Sequence, residues 1–78
     1  MIEIYGKPLC PFCDQAKALC ETRKLPFKYY QLDTDFTRGE VLEMFPGART
    51  FPQIKVHGTK IGGYDKLPSY LEETNYNG

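Results

Sequence analysis

Residues 2–20 read IEIYGKPLCPFCDQAKALC and predict a strand, a turn and a helix in that order. Apolar side chains alternate loosely up to Tyr5, and the Gly-Lys-Pro sequence after it is typical of a turn. Pro11 suits the first position of a helix because its missing N–H would be unpaired there, and Asp14 suits the positive end of the helix dipole. We therefore expect a helix to begin at about residue 11, with Cys10 as its N-cap.

The predicted helix carries an apolar stripe, which indicates one buried face because its members recur at spacings of three and four. The stripe consists of Phe12, Cys13, Ala16, Leu19 and Cys20. Pro26 marks the limit of this segment.

Three further segments predict strands. Residues 27–32 are rich in aromatic, β-prone side chains. Residues 51–56 predict a third strand, residues 57–60 a turn, and Ile61 belongs to a fourth strand, so the last two strands form a hairpin. A strand–helix–strand unit requires a parallel pair whereas a hairpin is antiparallel, so the predicted sheet is mixed.

Two shorter helices complete the order βαβαββα. Thr37 and Glu40 have the spacing of a capping box, and the short amphipathic helix after them ends at Pro46. Apolar residues near the C-terminus have helical spacing behind Asp65, which we expect to cap the last helix. Residues 1–78 are thus predicted to form a single α/β domain.

Length and composition exclude several classes of protein. A chain of 78 residues has room for one small core, and its 41% hydrophobic residues are ordinary for a globular protein. Ten basic and ten acidic residues give a net charge of zero, which argues against nucleic-acid and anionic-membrane partners. No apolar stretch approaches the roughly 20 residues of a membrane helix, and three cysteines are an odd number for a secreted disulfide scaffold. We expect a cytoplasmic protein.

The two cysteines of the CPFC sequence at residues 10–13 carry the chemistry. A spacing of two residues at a helix start puts both sulfurs on one turn, within disulfide reach. Cys10 faces unpaired N–H groups and the positive end of the helix dipole, so its thiol pKa should fall, and Lys7 adds a nearby cation. Cys13 lies deeper on the helix and is expected to stay protonated until it resolves a mixed disulfide on Cys10.

Other interpretations of these residues are less favoured. Cys10, Cys13, Cys20 and His57 could nominally hold zinc, but the strand–helix–strand context of the pair favours redox chemistry, and no metal is expected. Cys20 occupies a core position, where a free cysteine usually acts as a small hydrophobe. His57 lies at a turn with no acid beside it, so we expect a solvated side chain without a catalytic role.

Four motifs together resemble the glutaredoxins, at intervals typical of that family and over nearly the whole chain. They are YGK at residues 5–7, CPFC at 10–13, TFPQI at 50–54 and IGGYD at 61–65. The resemblance implies a thioredoxin-like fold, with a four-stranded mixed sheet flanked by three helices. It also implies a glutathione-dependent thiol–disulfide oxidoreductase that reduces protein disulfides and glutathione mixed disulfides through Cys10 and Cys13.

The same resemblance implies where glutathione binds. The residues it carries over are Lys7, Phe12, Arg38, Thr50, Phe51, Pro52, Gly63, Tyr64 and Asp65. Pro52 would be cis, and the main chain of Phe51 would pair with the cysteinyl part of glutathione as one strand pairs with another. Tyr64 and Asp65 would receive its γ-glutamyl end. Its glycyl carboxylate would approach Lys7 and Arg38.

The chain also departs from the family pattern. Phe12 stands where many members have tyrosine, Phe51 where most have valine, and Lys66 where an acid is frequent. These changes bear on the affinity for glutathione and leave both sulfurs in place. The resemblance further implies a monomer that acts on disulfide or glutathionylated proteins, with ribonucleotide reductase as one candidate. A thioredoxin-type donor without a glutathione groove and a carrier of a [2Fe–2S] cluster are the open alternatives.

Overall fold

Four strands and three helices follow one another in the predicted order βαβαββα. The computed structural model describes residues 1–76. The elements are β1 (Ile2–Gly6), α1 (Pro11–Thr22), β2 (Phe27–Gln31), α2 (Arg38–Met44), β3 (Gln53–Val56), β4 (Thr59–Gly62) and α3 (Lys66–Glu73). Within residues 1–76, none of the helices combines the length and the apolarity needed to cross a membrane.

The strands form a single mixed sheet in the order β2-β1-β3-β4. β1 is parallel to β2 and antiparallel to β3, and β4 completes a hairpin with β3. The prediction of a mixed sheet is therefore confirmed. Gly6 pairs with Gln31 and Tyr5 with Gln53, so the end of β1 and the start of β3 lie at one edge of the sheet. The loops that leave this edge carry the cysteine pair and Pro52.

Each face of the sheet has its own buried cluster, because residues in a strand alternate between the two faces. Ile2 and Ile4 of β1 pack with α1 and α3 in the larger cluster, whose buried members are Ile2, Ile4, Ala16, Cys20, Leu25, Ile54, Val56, Leu67 and Leu71. The smaller cluster joins the opposite face to α2 through Tyr5, Phe36, Val41 and Phe45. Helices thus cover both faces, which encloses the apolar side chains of the inner strands.

The starts of α1 and α2 agree with the sequence prediction. α1 begins at Pro11 with Cys10 as its N-cap. At α2 the capping box is complete: the Glu40 N–H donates to the Thr37 hydroxyl at 3.2 Å, and the Thr37 N–H donates to the Glu40 carboxylate at 2.8 Å. These bonds satisfy two N–H groups that a helix start leaves without a partner.

Asp65 takes the predicted N-cap position of the last helix, but the prediction that its side chain caps the helix is wrong. Asp65 precedes α3, but its backbone is helical, with φ of −62° and ψ of −20°, and its side chain makes no capping hydrogen bond. An N-cap needs a non-helical backbone to aim its side chain at the following N–H groups. The Asp65 carboxylate is exposed and remains free for other contacts.

The prediction that Phe12 belongs to the buried stripe is also wrong. Its side chain is 57% exposed, whereas Cys13, Ala16 and Cys20 are buried and Leu19 is half-buried. Phe12 is the second residue of α1, at the edge of the sheet, and its ring lies beside Tyr64 rather than over the core.

The strand boundaries differ from the prediction by one or two residues. β2 ends at Gln31 because Asp33 turns the chain with a φ of 65°. β3 begins at Gln53 rather than residue 51, since Pro52 has no N–H to contribute to a ladder. The hairpin turn is only His57-Gly58, both at positive φ, and two-residue hairpin turns of the type that matches strand twist require this conformation.

Candidate active site

The cysteine pair lies at the first turn of α1 and is closed as a disulfide between Cys10 and Cys13, with Cα atoms 5.2 Å apart. The N–H of Cys13 donates to Sγ of Cys10 at 3.2 Å, so the sulfur takes the place of a capping oxygen. Cys10 is 6% exposed and Cys13 is fully buried. Cys10 is therefore the more accessible of the two sulfurs.

The loop before β3 faces this pair. The peptide bond between Phe51 and Pro52 is cis, and the Phe51 carbonyl oxygen lies 3.8 Å from Sγ of Cys10. Gln53 is a buried polar residue whose Nε2 donates to the Thr50 carbonyl at 2.7 Å and so fixes the loop. The sequence gives Gln53 no role, since Lys55 is also polar in this segment and only the fold shows that Gln53 is buried.

A groove of about 240 Å³ lies beside the reactive end of α1. It is lined by Phe12, Thr50, Phe51, Gly63, Tyr64 and Asp65. The rings of Phe12 and Tyr64 are stacked with centroids 6.1 Å apart, which joins the start of α1 to the segment before α3. The structure thus brings together three segments that are distant in the chain, namely the start of α1, residues 50–51 and residues 63–65.

The two predicted cationic residues occupy different positions. The ammonium of Lys7 lies 5.9 Å from the ring centroid of Phe51, at the rim of the groove. Arg38 is the exposed first residue of α2 and is not part of the groove lining. Lys7 is therefore the cation that the structure puts next to the groove.

Cys20 and His57, the other two residues that could nominally hold zinc, do not form a group with the cysteine pair. Burial of Cys20 in the larger cluster raises the pKa of its thiol to about 11, with a smaller contribution from Glu21. His57 lies in the hairpin turn, where Nδ1 contacts the N-terminal ammonium at 2.8 Å. Among residues 1–76, no three His, Cys, Asp or Glu side chains come together in a group that could hold a metal ion.

Comparison with known proteins identifies the family that has this fold and this cysteine pair. The sequence model of the family described as "Glutaredoxin" matches residues 2–61. The chain belongs to the glutaredoxin family. It is 36% identical to Glutaredoxin 3 of Escherichia coli over 66 residues, which cover 85% of this chain and 80% of that protein. Cys10 and Cys13 are accordingly the redox-active pair of a thiol–disulfide oxidoreductase.

Solved glutaredoxin structures share the fold. The structure of reduced Escherichia coli glutaredoxin has a TM-score of 0.80 and 26% identity, and the match covers 95% of both chains. A complex of buckwheat glutaredoxin with glutathione has a TM-score of 0.78 and 22% identity, and the match covers 94% of this chain and 69% of that one. The mixed sheet with helices on both faces is therefore the thioredoxin-like fold of glutaredoxins.

Proposed function

We propose that this glutaredoxin is a glutathione-dependent oxidoreductase that reduces protein disulfides and glutathione mixed disulfides. The observation that carries the proposal is the position of Cys10, whose sulfur caps α1 and faces the Phe51 carbonyl at 3.8 Å beside the groove. The buckwheat protein of the same fold is a complex with glutathione, which supports the choice of ligand.

The groove offers complementary groups for each part of glutathione. The extended main chain of Phe51 suits the cysteinyl part, since an extended peptide pairs through backbone N–H and C=O groups. The exposed Asp65 carboxylate suits the ammonium of the γ-glutamyl end, and Tyr64 forms the wall beside it. Lys7 suits the glycyl carboxylate. Arg38, outside the groove lining, would act only at longer range.

The reaction begins with the reduced pair. The positive end of α1 and the N–H of Cys13 favour a thiolate on Cys10. This thiolate attacks the glutathione sulfur of a mixed disulfide, the substrate thiolate leaves and takes a proton, and glutathione remains on Cys10. A second glutathione thiolate attacks that glutathione sulfur, which releases oxidised glutathione and restores the Cys10 thiolate.

Protein disulfides take a second route, in which Cys13 participates. Cys10 attacks one sulfur of the disulfide and forms a mixed disulfide with the protein. Cys13 then loses its proton and attacks Cys10, so that the reduced protein leaves and the Cys10–Cys13 disulfide closes. Two glutathione molecules supply the two electrons that reopen it. Ribonucleotide reductase is the protein substrate that we would assay first. In this proposal the chain acts in the cytoplasm, as a monomer.

Serine variants of the two cysteines test the proposal in an assay coupled to glutathione. We expect Cys10→Ser to abolish reduction of both a small glutathione mixed disulfide and a protein disulfide, because it removes the nucleophile. Cys13→Ser should keep the first reaction and lose most of the second. Loss of the first reaction in the Cys13 variant alone would contradict the assigned roles.

The choice of reductant distinguishes a glutaredoxin, which glutathione recharges, from a thioredoxin-type donor, which thioredoxin reductase recharges. The wild-type protein is assayed with glutathione, glutathione reductase and NADPH, and in parallel with thioredoxin reductase and NADPH alone. We expect turnover only in the first mixture. Equal turnover in the second mixture would show that the groove is not needed for recharging and would reject the dependence on glutathione.

A further inference from the structure

Leu9 is an apolar residue that the fold does not use. Its side chain is 99% exposed, and it immediately precedes the nucleophile Cys10. Its φ is 56°, in the left-handed region where residues other than glycine, asparagine and aspartate are uncommon. The turn before α1 would ordinarily have glycine or asparagine here, since Pro8 precedes the positive-φ position.

Neither packing nor turn geometry therefore explains a leucine at this position. Burial gives it no stabilisation, and the backbone conformation disfavours it. Residues other than glycine that are held in sparsely populated backbone regions tend to cluster at functional sites. Leu9 does not line the groove assigned to glutathione. A partner that contacts Leu9 must therefore extend beyond a bound tripeptide.

The disulfide-exchange reaction determines which part of a substrate lies close to Leu9. A substrate disulfide must bring one sulfur to Sγ of Cys10, and the residues on either side of that substrate cysteine then lie against the neighbours of Cys10. Phe12, two residues after Cys10, is also largely exposed, at 57%. Exposed apolar side chains thus stand on both sides of Cys10 in the chain, and one of them, Phe12, also lines the groove.

We propose that Leu9, with Phe12, forms a docking surface for polypeptides that have an apolar residue beside their disulfide cysteine. Leu9 is then a specificity-determining residue for protein substrates, with no part in glutathione binding. The inference rests on the disulfide-exchange step of the proposed function and is independent of its reductant. Contact with the apolar neighbour removes both side chains from water as the mixed disulfide forms.

The test uses the reduced protein and two disulfide-linked peptide dimers, without glutathione. Leucine flanks each cysteine in one dimer, and glutamine replaces it in the other. Cys10 attacks one peptide sulfur and releases a peptide thiol, and Cys13 then releases the second peptide as it closes the Cys10–Cys13 disulfide. The protein loses two electrons and the dimer gains them, so the released thiols report the second-order rate constant.

We expect the wild-type protein to reduce the leucine dimer about tenfold faster, which corresponds to burial of about 55 Å² of apolar surface. Leu9→Asn removes the apolar side chain and suits a positive φ, so it should fold normally and reduce this preference to about twofold. Leu9→Met should restore the preference. Leu42→Asn, at an exposed leucine of α2 away from the reactive turn, should leave it unchanged.

A wild-type preference below twofold, or an unchanged preference in Leu9→Asn, would overturn the inference. The glutathione-coupled rate with a small mixed disulfide is measured for the same variants and should stay at the wild-type value in all of them. If the peptides show the expected preference while glutathione fails to recharge the protein, the dependence on glutathione is wrong and the docking surface stands.

Discussion

The three cysteines differ in depth, and their depth sets their chemistry. Cys10 reaches the surface at the start of α1, Cys13 lies one turn further in, and Cys20 is enclosed in the larger cluster. A thiol reacts through its thiolate, which burial in apolar surroundings disfavours. In the proposed mechanism, the same type of side chain serves as nucleophile at the N-cap of α1 and as resolving group and core filler within the helix.

Alkylation of the reduced protein should reveal this order. At pH 8 a thiol with a pKa of about 11, as at Cys20, is only about 0.1% ionised, against about 9% for an ordinary value of 9.0. We expect iodoacetamide to modify Cys10 quickly and Cys20 hardly at all. Because the thiolate fraction grows as pH rises toward 11, labelling of Cys20 should increase with pH.

Mass spectrometry of protease digests measures the labelling at each cysteine. Unfolding the reduced protein in guanidinium chloride before alkylation provides the control, since all three cysteines should then react at similar rates. Rapid labelling of Cys20 in the folded protein at pH 8 would contradict the burial described above.

At the scale of elements, the start of α2 depends on a local arrangement. The two hydrogen bonds of the capping box lie within four residues, and they hold the first turn of a helix of only seven residues. Short helices gain little from their own backbone bonds, so a cap contributes much of what keeps such a helix in place.

Replacing Thr37 with alanine should therefore lower the free energy of unfolding by about 1 kcal/mol. The hydroxyl that accepts from the Glu40 N–H is lost, and that donor is left to water. Urea denaturation followed by circular dichroism measures the change. Thr22→Ala, at an exposed threonine at the end of α1, is the matched control and should change stability by less than about 0.5 kcal/mol.

Local arrangements of this kind explain which parts of the fold were predictable. The capping box, the proline start of α1 and the CPFC sequence each place the interacting groups within a few residues, so the sequence pattern contains them. The error at Phe12 concerns a contact with a distant segment, and the error at Asp65 concerns a backbone conformation that the residue type does not fix. Periodicity cannot tell that the first turn of α1 projects past the sheet edge, nor that the chain before α3 is already helical.

At the candidate site too, local sequence patterns predict only the residues that lie close together in the chain. Spacing and helix position predicted the roles of Cys10 and Cys13 from physical chemistry, and the structure agrees with their order of burial. The residues opposite them came only from the family resemblance, because no local pattern brings residues 50–52 and 63–65 to α1. Leu9 was missed since one apolar residue in a turn carries no signal until its exposure is known.

At the scale of the whole molecule, one sheet separates two small clusters. The larger is formed with α1 and α3 and the smaller with α2. A chain of this length buries a smaller fraction of its surface than a larger domain does, so its stability is sensitive to each buried side chain.

Two identical substitutions at leucines of different burial measure this sensitivity. Leu67 of α3 is fully buried in the larger cluster, and Leu42 of α2 is 42% exposed. We expect Leu67→Ala to lower the free energy of unfolding by about 3 kcal/mol, and Leu42→Ala by less than about 1 kcal/mol. Midpoints of urea denaturation, compared with the wild-type midpoint, give both values. Equal losses would show that the larger cluster does not dominate stability.

Residues 9–13, which contain the cysteine pair and Leu9, are members of neither buried cluster. The exposed side chains of Lys7, Leu9 and Phe12 can therefore change without disturbing the interior. In a lineage of such proteins, recognition of new clients can diverge rapidly at a handful of surface positions while the scaffold is inherited intact. Engineers can exploit the same independence to retarget a reductase without first having to restabilise it.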